Sequence, residues 1–341
     1  MTALAARGLA ARALAARALA ARALAARALA ARALAAALFA SGLLAALPAR
    51  AGEIAVIVKT VNSTFWQNVQ KGAETAMKGV QGHSLTFQGP AAESAIADQV
   101  NMVENAVNRR VAGIVLAPSD PDALVPAVKK AWEARIPVVI LDSGLAKSAE
   151  PYYQAFLATD NRKAGELAAR ALIARTGPEG KIAVMSYVAG TGSEVGRVGG
   201  FTDYVKAHSK LQIVGPYYSQ SQMATALNQT ADVLAAHPDL KGLFGANEPT
   251  AIGMGRAVKQ AGRADRIAAV GFDGNQDLQD FVKDGTLAAI VVQGSFRMGE
   301  LGVATVAKVL AKQKVDKFID TGVVLVTKEN IGTDEAKNVL Y

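Results

Sequence analysis

Five apolar runs in this 341-residue chain lead into residues that can hold a hydrogen-bonding ligand. Ile54–Val58 is followed by Asn62-Ser63-Thr64-Phe65-Trp66, and Pro137–Leu141 by Asp142-Ser143-Gly144. Gly242–Phe244 leads into Gly245-Ala246-Asn247-Glu248, Ile267–Val270 into Gly271-Phe272-Asp273-Gly274, and Ala288–Val292 into Gln293. A carboxylate at the carboxyl end of a buried strand faces the crevice where open α/β sheets bind ligands. Asp accepts from neighbouring hydroxyls, whereas Asn and Gln both donate and accept. Flat rings such as Phe65 and Trp66 can cover the apolar CH face of a sugar. An anionic ligand would call for Arg and Lys instead, and only Lys59 and Arg197 stand near these stretches. Plainer roles exist for each residue. Asn62, Asp142, Asn247 and Asp273 could cap helices or turns, where Asn and Asp are favoured, and Phe65 and Trp66 could pack the first helix. Caps alone explain such endings less well when they recur through both halves of the chain.

Nothing in the sequence adds a reactive group to this set. There is no cysteine, which excludes disulfides, thiolate metal sites and a thiol nucleophile. His83, His208 and His237 lack metal-ligand spacing and are expected at the surface. Neither a phosphate-binding G-x-x-x-x-G-K-[ST] loop nor a G-x-S-x-G nucleophile turn is present. Gly190-Thr191-Gly192-Ser193-Glu194-Val195-Gly196 opens a helix after a strand, but its third glycine falls one position late for a dinucleotide loop. It reads as a tight turn with Ser193 as N-cap. Arg197, one turn on, points into a cleft or pairs with Glu194. No catalytic residue, metal or cofactor is expected, and a dehydrogenase-type enzyme is the weakest reading.

Placing strand ends in one cleft requires parallel sheets, and the remaining pattern supplies them. From Gly52 onward, apolar runs of about five residues alternate with amphipathic stretches of helical period, as in Phe65–Gly79 and Arg162–Arg175. Runs such as Val138-Val139-Ile140-Leu141 suit strands buried on both faces. About ten strands are expected, too many for one twisted sheet, so two doubly wound sheets are inferred.

The charge of +8 is not spread over these elements. Residues 1–51 hold seven arginines and no lysine or acid, leaving 30 basic against 29 acidic residues beyond them. No basic domain remains to grip nucleic acid. The leader repeats Ala-Leu-Ala-Ala-Arg every five residues, a period that winds around a helix without forming a face. The uncharged run Ala33–Leu47 and the ending Pro48-Ala49-Arg50-Ala51 then read as a secretory signal cleaved after Ala51. The run is too short for a permanent membrane span. A cysteine-free exported chain suits a Gram-negative periplasm.

From Gly52 almost to Tyr341 the chain resembles the periplasmic sugar-binding proteins of ABC transporters, the ribose-binding-like group. The matching pieces are Asn62–Trp66, Asp120-Pro121-Asp122-Ala123-Leu124, Ile136–Asp142, Thr159-Asp160-Asn161, Ala236-His237-Pro238-Asp239, Val270–Gly274 and Asp320-Thr321-Gly322-Val323. The resemblance implies two α/β lobes, residues 52–159 plus 294–322 and residues 160–293 plus 323–341, joined by three hinge crossings near Thr159, Gln293 and Thr321. It places ligand contacts on Ser63, Phe65, Trp66, Asp142, Arg197, Asn247, Asp273 and Gln293, with Ser143 beside them. It also implies a monosaccharide or polyol ligand, ABC permease membrane subunits as partners, and a monomer. Two positions depart from the family pattern. No aromatic stands near Ser221 and Gln222, although Tyr217 and Tyr218 lie just upstream, and Asp142 is followed by Ser143 where ribose binders carry arginine. A less cationic pocket follows, so another pentose, a hexose or a polyol is expected rather than ribose. A chemotaxis or signalling receptor, and the effector lobes of a LacI-type regulator, share this architecture. The regulator would need a helix-turn-helix, for which the leader repeat offers no turn.

Overall fold

The computed structural model describes residues 52–341, together with Arg17, Leu19 and Arg22; the signal segment and its cleavage after Ala51 lie outside the described residues. Two six-stranded sheets organise the chain. The first holds β1 (Gly52–Ile57), β2 (His83–Gln88), β3 (Gly113–Leu116), β4 (Val138–Leu141), β5 (Ala155–Ala158) and β11 (Phe318–Asp320). Its order is β11-β5-β4-β3-β1-β2. The second holds β6 (Glu179–Ser186), β7 (Lys210–Tyr218), β8 (Leu240–Gly245), β9 (Ala268–Phe272), β10 (Ala289–Gln293) and β12 (Val323–Val326). Its order, β12-β10-β9-β8-β6-β7, repeats the first. All neighbours run parallel except β12, which is antiparallel to β10. The strand order therefore reverses between β1 and β3, and between β6 and β8, the switch points where such sheets bind ligands.

Side-chain alternation along the short strands divides each sheet between two layers of helix. In the first sheet Val56, Val115 and Val139 pack with α1 (Thr64–Met77) and α9 (Ser295–Leu310). Their neighbours Ala55, Ile114 and Ile140 face α2 (Ile96–Arg109) and α3 (Val125–Glu133). In the second sheet Ile182, Val270 and Val291 pack with α4 (Asn161–Thr176) and α5 (Gly192–His208). Ala183, Ala269 and Ile290 face α6 (Met223–Ala236), α7 (Glu248–Gln260) and α8 (Gln276–Asp284). Burial on both faces is why these strands read as unbroken apolar runs.

The structure differs from the expectation at several elements. Twelve strands occur among the described residues rather than about ten. Strand β5, the short β11 and α10 (Asp334–Lys337) lie outside the apolar runs and amphipathic stretches named from the sequence. Strand β7 runs on through Pro216 to Tyr218 as the last strand of its sheet, where a residue without an N–H is tolerated. Helix α3 starts at Val125, with Pro126 in its first turn.

The chain passes between sheets after β5, after β10 and between β11 and β12. These crossings lie side by side. Thr159 Oγ1 is 3.4 Å from Thr321 Oγ1, and a Cβ on Gly294 would stand 2.6 Å from the Thr321 carbonyl.

Helix pairs cross where glycine removes the side chain. A Cβ on Gly299 of α9 would lie 1.9 Å from the Val69 carbonyl of α1, and one on Gly72 of α1 would lie 1.9 Å from the Phe296 carbonyl. Gly165 and Gly200 do the same for α4 and α5, at 2.0 Å and 2.1 Å. Since the obstruction is backbone, it cannot rotate away. We predict that Gly299→Ala lowers stability by about 1–3 kcal/mol in urea unfolding, the usual scale of overpacking. Gly332→Ala, whose added Cβ meets nothing within 4 Å, should stay within about 0.5 kcal/mol of the parent.

Candidate functional site

Asp142 and Asp273 occupy the same place in the two sheets, one residue beyond β4 and β9. Each carries a left-handed φ, 61° and 78°, which non-glycine residues adopt mainly where surroundings enforce it. Each N–H donates to the next strand, Asp142 to Leu157 O and Asp273 to Val291 O, both at 2.8 Å. Both carboxylates line one cavity between the sheets. Neither caps the helix that follows its own strand. Asp273 instead accepts the first N–H of α7, Glu248 N, at 2.9 Å.

The cavity also gathers Ser63, Phe65, Trp66, Arg197, Asn247 and Gln293 from the expected set. Ser63 is the N-cap of α1 and accepts from Trp66 N, which fixes the two rings at the helix start. Phe65 and Trp66 meet edge to face with centroids 4.9 Å apart. Trp66 serves core and cavity together: its ring is buried and its Nε1 donates to Glu93 Oε1 at 3.1 Å. Asn247 is both cap and lining residue. Its Oδ1 accepts from Thr250 N while its Nδ2 donates to Ser221 Oγ. Gln293 Nε2 donates to Asp273 Oδ1 at 2.9 Å, and its buried Oε1 has no partner.

Arg197 points inward rather than pairing with Glu194 on the surface. Two of its nitrogens donate to Asn161 Oδ1, at 3.1 and 2.8 Å, and Nη1 donates to Ala246 O at 2.6 Å. The guanidinium lies 3.6 Å from the Phe272 ring centroid. Three of its five N–H groups are thus used. Glu194 is buried behind it, accepting from Ser186 Oγ and Gly190 N, and burial raises its pKa.

Two expectations are corrected. Ser143 does not line the cavity; it stands behind, where its Oγ accepts from Lys59 Nζ at 2.6 Å and from Ser193 N at 3.2 Å. Ser193 is not the N-cap of α5, a place taken by Thr191. Its hydroxyl turns into the cleft, 2.8 Å from Tyr187 Oη.

Lys59, Glu93, Tyr187 and Glu248 also line the cavity, beyond the expected contact set. Lys59 was visible in the sequence as an available cation. The structure pairs it with Asp142 at 2.7 Å, both side chains buried, so the cation missing after Asp142 comes from the end of β1. Tyr187 supplies the second sheet's ring. At the expected aromatic position Ser221 donates across the cleft to Glu93 Oε2 at 2.6 Å. Glu93 sits in a loop without motif, and no spacing signal marks it. His83, His208 and His237 are absent from the lining.

Burial pushes Asp273 up to about 7, against the opposing charge of Arg197, with Glu248 adding to the rise. Glu248 is itself raised, chiefly by burial. A cavity walled by both lobes, lined with amides, carboxylates and rings, defines a two-lobed ligand-binding protein.

The chain belongs to the periplasmic binding protein domain family, whose pattern matches residues 54–314. It is similar to an ABC transporter solute binding protein from Agrobacterium vitis solved with bound D-fucose. That likeness is 79% identity and a TM-score of 0.85, over 85% of this chain and 100% of the other. A carbohydrate transporter solute binding protein from Agrobacterium radiobacter, in complex with D-arabinose, is 34% identical with a TM-score of 0.81, over 85% and 99%. The ribose import binding protein of Salmonella typhimurium is 31% identical, over 81% of this chain and 90% of its own length.

A raised carboxylate makes the folded state hold its proton more tightly than the unfolded state does. The resulting stability is full below the ordinary Asp pKa of 3.8 and is lost as pH rises through about 7. We predict that the ligand-free protein loses a few kcal/mol relative to Asp273→Asn between pH 4 and pH 7.5, since each tenfold change in proton affinity is worth about 1.4 kcal/mol. Urea unfolding of both proteins at the two pH values measures it. Parallel pH curves would refute the assignment.

Proposed function

We propose that this chain is the periplasmic receptor of an ABC importer and binds a neutral monosaccharide between its lobes. The supporting observation is a single cavity to which both sheets contribute equivalent strand-end carboxylates, Asp142 and Asp273, with Gln293 Oε1 unpartnered beside them. Carboxylates and amides of this kind match the vicinal hydroxyls of a sugar. The rings of Phe65 and Trp66 offer an apolar face for its CH groups.

Ser63, Phe65, Trp66, Asp142, Arg197, Asn247, Asp273 and Gln293 form the contact set in this reading, with Lys59 and Glu93 added. Ser143 acts behind them by orienting Lys59. A hexose of the D-fucose kind is the first choice, since the 79%-identical protein was solved with that sugar. Residues 52–159 plus 294–322 and residues 160–293 plus 323–341 would move as two bodies about the crossings at Thr159, Gln293 and Thr321. Ligand drives closure through contacts from both bodies, since only contacts made better in the closed state shift the equilibrium. The closed form is what the permease subunits recognise. Export follows the leader, with cleavage after Ala51, and the receptor works as a monomer.

Calorimetric titration with D-fucose, D-arabinose, D-allose and D-ribose tests the reading. At a hundred times Kd a bound sugar stabilises by about 2.7 kcal/mol and raises Tm by a few degrees. Asp273→Ala is expected to abolish that binding while the protein stays folded by circular dichroism. Unchanged sugar affinity in this variant would sink the assignment of Asp273, and failure of all four sugars would sink the sugar class.

A further inference from the structure

Outside the contact set, one group of side chains ties the two lobes together. Glu248, the first residue of α7, is buried and turns its carboxylate toward α1 of the other lobe. Glu248 Oε1 accepts from Phe65 N at 3.3 Å, and Oε2 accepts from Thr64 Oγ1 at 2.8 Å. The same Oε2 accepts from Tyr341 Oη at 2.9 Å. Tyr341 is held from the Glu248 side: its N–H donates to Gly274 O, and its carbonyl accepts from Gln279 Nε2. Its ring nonetheless packs against the apolar cluster of the first sheet, which contains Phe65, Trp66 and Val69. Tyr341 therefore touches both lobes, yet it is absent from the cavity lining.

We propose that Tyr341 is a positioning residue that acts through Glu248 to hold the closed receptor, without contact to the sugar. Its phenol fixes the carboxylate that catches Thr64 and the Phe65 N–H, and so fixes the start of the helix that carries the two rings. Its ring adds apolar area that is buried between the lobes only when they meet. Interactions present only in the closed state slow ligand release and leave encounter with the open form unaffected.

This inference rests on the sugar-receptor reading, and stopped-flow kinetics with D-fucose on the intact chain separate the two. Tyr341→Phe removes the donor and keeps the ring. It is expected to raise the dissociation rate about tenfold, the scale of one hydrogen bond to a carboxylate. The association rate should stay within twofold and the Tm of the ligand-free protein within about two degrees, which a merely structural role would not give. Thr64→Val should behave alike. The double variant should lose less than the two single losses combined, because both donors share Glu248 Oε2. An unchanged dissociation rate in Tyr341→Phe, or additive losses in the double variant, would overturn the proposal. A parent protein that binds no D-fucose would overturn the reading beneath it.

Discussion

Buried charge governs this cleft. Asp142 and Asp273 leave equivalent strands at left-handed backbone angles and bring two carboxylates out of water. Burial of that kind is unfavourable unless each charge finds donors or an opposite charge. Much of the surrounding architecture answers this demand. Lys59 at the end of β1 pairs with Asp142, and Ser143 and Ser193 hold Lys59 in turn. Arg197, locked by Asn161 and the Ala246 carbonyl, sets its charge near Asp273, whose oxygens also accept from Glu248 N and Gln293. The two sites differ. Asp142 has a cation in contact, whereas Asp273 relies on neutral donors and on Arg197 nearby, so burial dominates its titration.

Polar satisfaction also explains why the cleft closes on itself from both sides. Glu93 is shared by Trp66 of one lobe and Ser221 of the other, and Glu248 by Thr64, the Phe65 N–H and Tyr341. Such bridges are polar and short in reach. They join the lobes by polar contacts rather than by a broad apolar interface. The glycine crossings of α1 with α9 and of α4 with α5 bring those helix pairs into close backbone contact.

The fold was legible in the sequence wherever burial was two-sided. Val138-Val139-Ile140-Leu141 and Ile54–Val58 admit no surface face, so their strands and the parallel order followed. Strand β11 was not legible because it is three residues long, with Phe318 exposed and a lysine before it. Strand ends announced the site for the same reason that strands announced the fold: Asp142, Asn247, Asp273 and Gln293 each interrupt an apolar run. Residues reached from loops carried no such mark. Glu93 follows Gly89-Pro90-Ala91-Ala92, and only the folded chain brings it to Trp66 Nε1. Lys59 was visible as a cation, but its partner lies 83 positions away and pairing at that distance has no local signature. Ser193 misled because a serine opening a helix after glycine is the pattern of an N-cap, while here the hydroxyl serves Tyr187 and Lys59.

In the proposed function, one neutral sugar is held at once by the strand-end carboxylates of both lobes. A crystal structure of the protein grown with D-fucose decides whether it is. A pyranose should occupy the cavity, with ring hydroxyls within hydrogen-bond distance of both Asp142 and Asp273 and a CH face against Trp66. A sugar seated outside this cavity, or bound to only one of the two carboxylates, would contradict that picture.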